Sequence, residues 1–384
     1  MKKFKACPLF GRCGGCDYSI EYALELEEKT EYVHSLFSRY CPTYETIGGA
    51  KDGYRNKVVA SFAYDRKGHV ISGLYIKGTH RIIEKRDCPL EFEGSAEILR
   101  SIRRLMKSYA VKPYDEDTYR GDLRHVLLRK GHKSGEVLVL LVFGNDRYGR
   151  KKEFAHSLMD ICPSVVSVFY QVNNEKTSMI LSSSPTKFLA GQRFIKSRLF
   201  DLTFRVGPSS FFQVNDGQTE VLYDMALYMA GLSGREKVLD AYSGTGTIAM
   251  IAAKKACSVT AVENNEEAVA FAVKSAEENN IGNVTFIMDD ASSFIKAEAK
   301  RGEHYDVVFL DPPRAGSDER FLSSLIKLSP GKIIYISCNP ETQVRDIRYL
   351  EKFGPYRVRA VQPVDMFPRT QHVETVALIE RSVQ

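Results

Sequence analysis

The stretch Val238-Leu239-Asp240-Ala241-Tyr242-Ser243-Gly244-Thr245-Gly246-Thr247 carries the main fold signal of the chain. An apolar, strand-like run gives way to two glycines spaced by one residue, and a run with helical periodicity, 248–255, follows. Strand, glycine turn and helix in that order open a doubly wound α/β sheet, in which the turn lets the backbone approach a ligand. Roughly 20 residues further on, Glu263 closes the next strand-like run, where a carboxylate can accept hydrogen bonds from a ribose diol. The third glycine of the dinucleotide fingerprint is missing, because position 249 is Ala. Asp240, the single Gly244-x-Gly246 and Glu263 together favour S-adenosylmethionine over a nicotinamide dinucleotide.

Downstream the alternation continues: strands at 259–263, 284–288, 307–311 and 332–337, with a helix at 266–279. Two further strand-like runs, 356–362 and 375–380, have no helix between them and suit a closing antiparallel pair. Upstream the pattern changes. Short strand-like runs at 58–64, 70–75, 126–128, 137–143 and 165–172, with one helical piece at 96–109, predict a mixed α/β, largely β domain. The apolar residues Ile20, Leu24, Leu26, Val33, Leu36 and Phe37 predict a helix over 19–40, with glutamates on its other face. The expected organisation is a cysteine triad (1–18) joining the central domain, a helical segment (19–47), a central, largely β domain (48–204), and a Rossmann-like, doubly wound α/β domain (205–384).

Composition narrows the class. The chain has 384 residues, 43% hydrophobic and 27% charged, which suits a folded globular protein rather than a disordered one. No apolar run reaches the ~20 residues of a bilayer span, and the start lacks the apolar core of a signal peptide, so the expectation is a monomeric cytoplasmic protein without membrane attachment. Its net charge of +6 permits a polyanionic partner without requiring one. In the central domain Lys51, Arg55, Lys57, Arg66, Lys77, Arg81, Lys85, Arg86, Arg103, Arg104, Arg124 and Arg129 read, on charge alone, as a solvated face.

Three motifs bear on chemistry. Asp311-Pro312-Pro313-Arg314 closes the fourth strand of the sheet, at the rim where open α/β sheets react. Its fourth residue is Arg rather than the aromatic ring used by methyltransferases of exocyclic amines. Ser337-Cys338-Asn339-Pro340 closes the fifth strand on the same rim, ahead of a helix N-terminus whose partial positive charge favours a thiolate. A buried core thiol explains Cys338 equally well from the residues alone. The third motif is Cys7-x5-Cys13-x2-Cys16 with the remote Cys88. Four thiols can hold zinc or an iron–sulfur cluster, and a triad meeting a lone Cys88-Pro89 favours iron–sulfur.

These motifs, together with Phe211-Phe212-Gln213-Val214-Asn215 and His372-Val373-Glu374, occur in an order that resembles the RNA 5-methyluridine methyltransferases over nearly the whole chain. The likeness is greatest to iron–sulfur members that modify uracils in large-subunit (23S) ribosomal RNA. The resemblance implies Cys338 as nucleophile and Glu374 as general base. It further implies Gln213, Tyr242, Gly244, Gly246, Thr247, Glu263, Asp290 and Asp311 at S-adenosylmethionine, and Cys7, Cys13, Cys16 and Cys88 on a 4Fe-4S cluster. The resemblance also implies that 19–47 docks on the catalytic domain, that 48–204 is an RNA-binding and iron–sulfur domain, and that 205–384 is a Rossmann-like class I methyltransferase domain with a seven-stranded sheet. Many relatives begin with a small β-barrel RNA-binding domain, so a short form is expected here. RNA as substrate turns the central basic residues from a solvated face into an RNA-binding one. The competing readings are a tRNA uridine methyltransferase, an enzyme for another RNA base, and a non-catalytic iron–sulfur RNA-binding protein.

Overall fold

A computed structural model of the chain describes residues 7–76, 78–177 and 179–382. The chain divides into two compact units. The first comprises 1–19, 51–198 and 206–209, and the second 20–50, 199–205 and 210–384.

The first helix, α1 (Tyr22–Phe37), belongs to the second unit. Its buried stripe differs from the expected one. Leu24 is 48% exposed, and the residues turned inward are Glu25, Lys29, Val33 and Phe37. Spacing of four residues keeps them on one face, and the two charges are tolerated because they are paired. Lys29 Nζ donates to Glu25 Oε1 at 2.9 Å and to Asp365 Oδ1 at 2.7 Å.

In the first unit the strands β1 (Lys57–Tyr64), β2 (Val70–Tyr75) and β3 (Ile82–Glu84) precede helix α2 (Ser95–Ser108). After them come β4 (Leu123–Lys130), β5 (Val137–Phe143), helix α3 (Lys151–Ile161), β6 (Val165–Val172) and β7 (Lys187–Gly191). They form one seven-stranded sheet in the order β3-β2-β1-β4-β5-β6-β7, antiparallel except for the β5–β6 pair, which α3 connects. β5 is buried along its whole length, as befits a central strand covered on both faces. Both helices pack their apolar stripes, Ile98, Leu99, Ile102 and Leu105 of α2 and Phe154 and Leu158 of α3, into a single core.

The expected basic face is only partly a surface. Lys85, Arg124 and Arg129 are buried, and Lys77 lies outside the described residues. Arg124 holds Glu116 through two nitrogens, at 2.7 and 2.8 Å, and donates to the carbonyls of Asn173, Glu175 and Thr177, a structural role that removes it from any RNA-binding set. Burial of Arg124 and Lys85 is possible because Glu116 and Glu91 neutralise them.

Strands β8 (Ile195–Leu199) and β9 (Leu202–Val206) follow in sequence, and then α4 (Asp216–Ala230). The Rossmann-like sheet of the second unit is built from β10 (Lys237–Asp240), α5 (Thr247–Ala253), β11 (Ser258–Glu263), α6 (Glu266–Glu278), β12 (Val284–Met288) and α7 (Ala291–Arg301). It continues through β13 (Val307–Leu310), α8 (Glu319–Leu328), β14 (Lys332–Ser337), α9 (Pro340–Phe353), β15 (Tyr356–Val364) and β16 (Glu374–Arg381). Its seven strands run in the order β12-β11-β10-β13-β14-β16-β15, the first five parallel and β16 antiparallel to both neighbours. The chain reverses direction across the sheet between β10 and β13, so the loops after these two strands diverge and leave a crevice at their carboxyl ends. No described helix is long and apolar enough to cross a membrane.

Candidate active site

A cavity of about 560 Å³ opens at that crevice, entirely within the second unit. One side is the glycine turn. Gly244 and Gly246 adopt φ of +54° and +75°, which only glycine takes without strain. A Cβ on Gly246 would lie 2.7 Å from the Phe286 ring, so that glycine also permits close packing of the turn on β12. Around Gly244 there is open space, as a ligand cradle requires. Glu263 is fixed beside it: one carboxylate oxygen accepts the Gly244 N–H and the other the Asn265 N–H, both at 2.9 Å. Asp290 caps α7 by accepting the Ser293 N–H at 2.9 Å and lines the same cavity. Tyr242 packs on Phe321, and burial pushes its hydroxyl up to about 12. Thr247, at the first turn of α5, places Oγ1 3.4 Å from the Tyr223 hydroxyl.

The other side is assembled from three strand ends. Ser337 pairs with Thr375 in the antiparallel β14–β16 ladder, which places Cys338 and Glu374 opposite each other as the strands enter the cavity. Asn339 caps α9 and sends its Nδ2 to the Arg314 carbonyl at 3.2 Å, tying the cysteine loop to Asp311-Pro-Pro-Arg. Gln213 enters from the segment before α4. That segment is anchored by Asn215, whose Nδ2 donates to the Met366 carbonyl at 3.1 Å.

Electrostatically the site is a nest of carboxyls. Burial raises Asp311 to about 7, and burial together with the Asp311 charge raises Glu374 well above the ordinary carboxylate range. Glu374 is 2% exposed, and among the described residues its Oε2 has no hydrogen-bond partner. Beneath them Asp240 is fully buried, and burial and the Asp311 charge push it up to about 8 against the lowering effect of the Ala249 and Tyr242 backbone N–H groups. The Cys338 thiol is pushed up to about 11 by burial and by the Glu374 and Asp311 charges, with Arg314 acting in the opposite direction. Burial beside two carboxyls therefore outweighs the helix N-terminus expected to favour the thiolate.

All ten expected cofactor and catalytic residues line this one cavity except Gly246, which shapes the turn from behind. Sequence reasoning missed Tyr223 and Phe367 in the lining. Phe367 follows the paired β15 and carried no spacing signal. Tyr223 is one of many inward positions on α4. The orphaned Glu374 oxygen and the open space at Gly244 are what a site for a cationic nucleoside ligand such as S-adenosylmethionine would present.

The cysteines of the first unit fit less well. Cys7, Cys13, Cys16 and Cys88 are free, partly buried thiols. Cys16 is pushed up to about 11 by burial and then by the charges of Cys88, Cys13 and Cys7, so the four share one neighbourhood. Among the described residues, however, no three Cys, His, Asp or Glu side chains form a group that could hold a metal ion. The described residues therefore do not support the expected four-thiolate iron–sulfur ligand set, although the four thiols lie near one another.

The tRNA (uracil-5-)-methyltransferase family matches residues 21–382. The chain is 37% identical over 381 residues to an RNA methyltransferase of Halalkalibacterium halodurans, covering 97% of this chain and 82% of that one. It is 38% identical over 384 residues to one of Caldanaerobacter subterraneus, with coverage of 98% and 84%. Among solved structures, the Pyrococcus abyssi tRNA (uracil-54, C5)-methyltransferase in complex with S-adenosyl-L-homocysteine is similar at a TM-score of 0.76 and 27% identity, over 94% of this chain and 84% of that one.

Proposed function

The chain belongs to the tRNA (uracil-5-)-methyltransferase family, and from that premise we propose that it methylates carbon 5 of a uridine in 23S ribosomal RNA through a covalent Cys338–uracil adduct. The observation that carries the reading is the position of Cys338 and Glu374 at adjoining ends of neighbouring strands, next to the Ser337–Thr375 pair, in the cavity that also holds the glycine turn. A thiol and a carboxyl facing each other is the pair that addition to and elimination from a uracil ring demands.

Carbon 5 of uracil is a weak nucleophile. Cys338, once deprotonated, adds to carbon 6 and leaves the ring an enolate, whose carbon 5 can displace a methyl group. S-adenosylmethionine supplies that methyl as a sulfonium and leaves as a neutral thioether. Glu374 then takes the carbon 5 proton, the electrons of that bond restore the ring double bond, and Cys338 departs as thiolate. One proton is released per methyl transferred, which balances the lost sulfonium charge. Arg314, the cation acting on both Cys338 and Glu374, favours the anionic form of each. In this reading Glu263 would receive the ribose hydroxyls of S-adenosylmethionine, and Gln213, Tyr242, Thr247, Asp290 and Asp311, which line the same cavity, would complete the cofactor contacts. In the first unit, Cys7, Cys13, Cys16 and Cys88 are proposed as ligands that converge when an iron–sulfur cluster is inserted, supported by their shared neighbourhood.

A tRNA uridine is the second reading, favoured by the activity of the Pyrococcus abyssi protein. Methylating ribosomal and transfer RNA from cells lacking the gene with labelled cofactor, and then mapping 5-methyluridine by nuclease digestion and mass spectrometry, separates the two. Cys338→Ala should give neither product nor covalent complex. Glu374→Gln should trap methylated RNA on the protein, visible on denaturing gels, and product formation by Cys338→Ala would end the adduct mechanism.

A further inference from the structure

A second cavity in the same unit, an open groove of about 660 Å³, runs along α9 and takes no part in methyl transfer. Its head lies at the reaction rim, since α9 begins directly after Cys338-Asn339, and the helix extends 14 residues, ~20 Å at 1.5 Å per residue. The groove is lined by Tyr40, Arg345, Arg348, Tyr349, Lys352 and Phe353.

Two properties mark it. First, its aromatic rings are displayed rather than buried: Phe353 is 57% and Tyr40 38% exposed, and Tyr349 and Phe353 hold their ring centroids 4.6 Å apart. Second, its cations are available. Arg345 is spent on Asp346 and on the Ala315 and Ser317 carbonyls. Among the described residues, however, no carboxylate pairs with Arg348 or Lys352, and Lys352 Nζ sits 4.9 Å from the Phe353 centroid. The two acids of the groove are engaged elsewhere. Glu341 accepts the Tyr32 hydroxyl at 3.3 Å, and Glu351 accepts the Val358 N–H at 3.1 Å. A solvated helix face accounts for free cations but not for exposed rings set between them in a concavity. Cations alternating with stacking platforms suit a single-stranded nucleic acid, whose bases need faces and whose phosphates need charge.

We propose that the α9 groove binds single-stranded RNA flanking the target uridine, stacking bases on Phe353 and Tyr40 and holding phosphates on Arg348 and Lys352. The proposal rests on the RNA-methyltransferase reading above and gives the catalytic unit an RNA grip of its own.

The test uses the full chain and a fluorescein-labelled polyuridine strand of about 20 nucleotides, titrated by anisotropy over a range of salt. Arg348→Ala/Lys352→Ala should weaken binding about tenfold or more and lower the slope of log K against log salt by about 1.4, roughly 0.7 for each phosphate left without its cation on a single strand. Phe353→Ala should weaken binding about tenfold with the slope unchanged, since stacking is salt-independent at this level. S-adenosylmethionine affinity, read by calorimetry, should match wild type in all variants. Wild-type affinity and slope in the double variant would overturn the proposal while leaving RNA methylation by the wild type intact. A wild-type chain that neither binds nor methylates RNA would bring down the functional reading and the groove with it. A groove that joins two copies would instead show a dimer by sedimentation, dissolved by Phe353→Ser at unchanged RNA affinity, and would equally overturn the proposal.

Discussion

Lys29 places its Nζ 2.7 Å from Asp365 Oδ1 across 336 positions of sequence, with both side chains fully buried. The same ammonium donates to Glu25 and, at 3.3 Å, to the carbonyl of Phe367, a residue lining the reaction cavity. Just beyond, Arg369 adopts φ +72°, a conformation that non-glycine residues avoid, and its N–H is held by Glu25 Oε1 at 2.7 Å. The first helix of the chain thereby fixes the wall that precedes Glu374.

Removing the cation should be costly. Lys29→Met leaves Asp365 a buried carboxyl without its ammonium and leaves Glu25 only the Arg369 guanidinium at 3.6 Å, and we expect a loss of about 3–5 kcal/mol of stability. Urea unfolding measures it directly. Adding Asp365→Asn to Lys29→Met should recover much of the loss, because Glu25 then keeps Arg369 as its partner and Asp365 no longer carries a buried charge.

The Cys338 thiol, held near 11 by burial and by the Glu374 and Asp311 charges, makes the free enzyme mostly thiol at neutral pH. Its thiolate fraction grows about tenfold per pH unit below that value, and Glu374 as base also works only when ionised, so kcat/KM should climb from about pH 7 to about pH 9. Rates of Cys338 alkylation, followed by peptide mass spectrometry, should climb in parallel. Arg314→Gln, which removes the opposing cation, should shift both profiles to higher pH.

Asp240 carries the opposite sign of linkage from a salt-bridged acid. Its folded-state value of about 8 lies above the ordinary carboxylate range, so between the two the folded protein binds more protons than the unfolded chain. Stability should therefore fall as pH rises through that interval. Thermal melts of the cofactor-free protein at about pH 5 and about pH 8 should show a lower midpoint at the higher pH, and Asp240→Asn should lessen the difference, with Asp311 and Glu374 supplying the remainder in the same direction.

For the four thiols of the first unit, anaerobic reconstitution with iron and sulfide should load about four of each per chain and turn the protein brown. Cys88→Ser should abolish loading and lower the yield of folded protein. Stoichiometric zinc without acid-labile sulfide would assign the thiols to a different metal.

Much of the second unit was legible because its determinants are local. Strand periodicity, the paired glycines at 244 and 246, and acids or a cysteine at strand ends are written within a few residues of one another, and the parallel sheet follows from their alternation. Contacts distant in sequence were not legible. The α1 pattern suggested Leu24 inside, but only the tertiary partner Asp365 explains why Lys29 takes the buried position and leaves Leu24 in solvent. Basic residues of the first unit looked alike in sequence, and only packing separates the buried Arg124, bound to Glu116 and three carbonyls, from surface cations. Which side chains could do chemistry is written in the order of residues, since Cys338 and Glu374 stand in recognisable motifs. That the two face each other is a product of packing, because the antiparallel register of β14 on β16 is set by the burial of both strands. The same burial, by stripping water from neighbouring groups, raises Cys338 and Glu374 above their ordinary ranges.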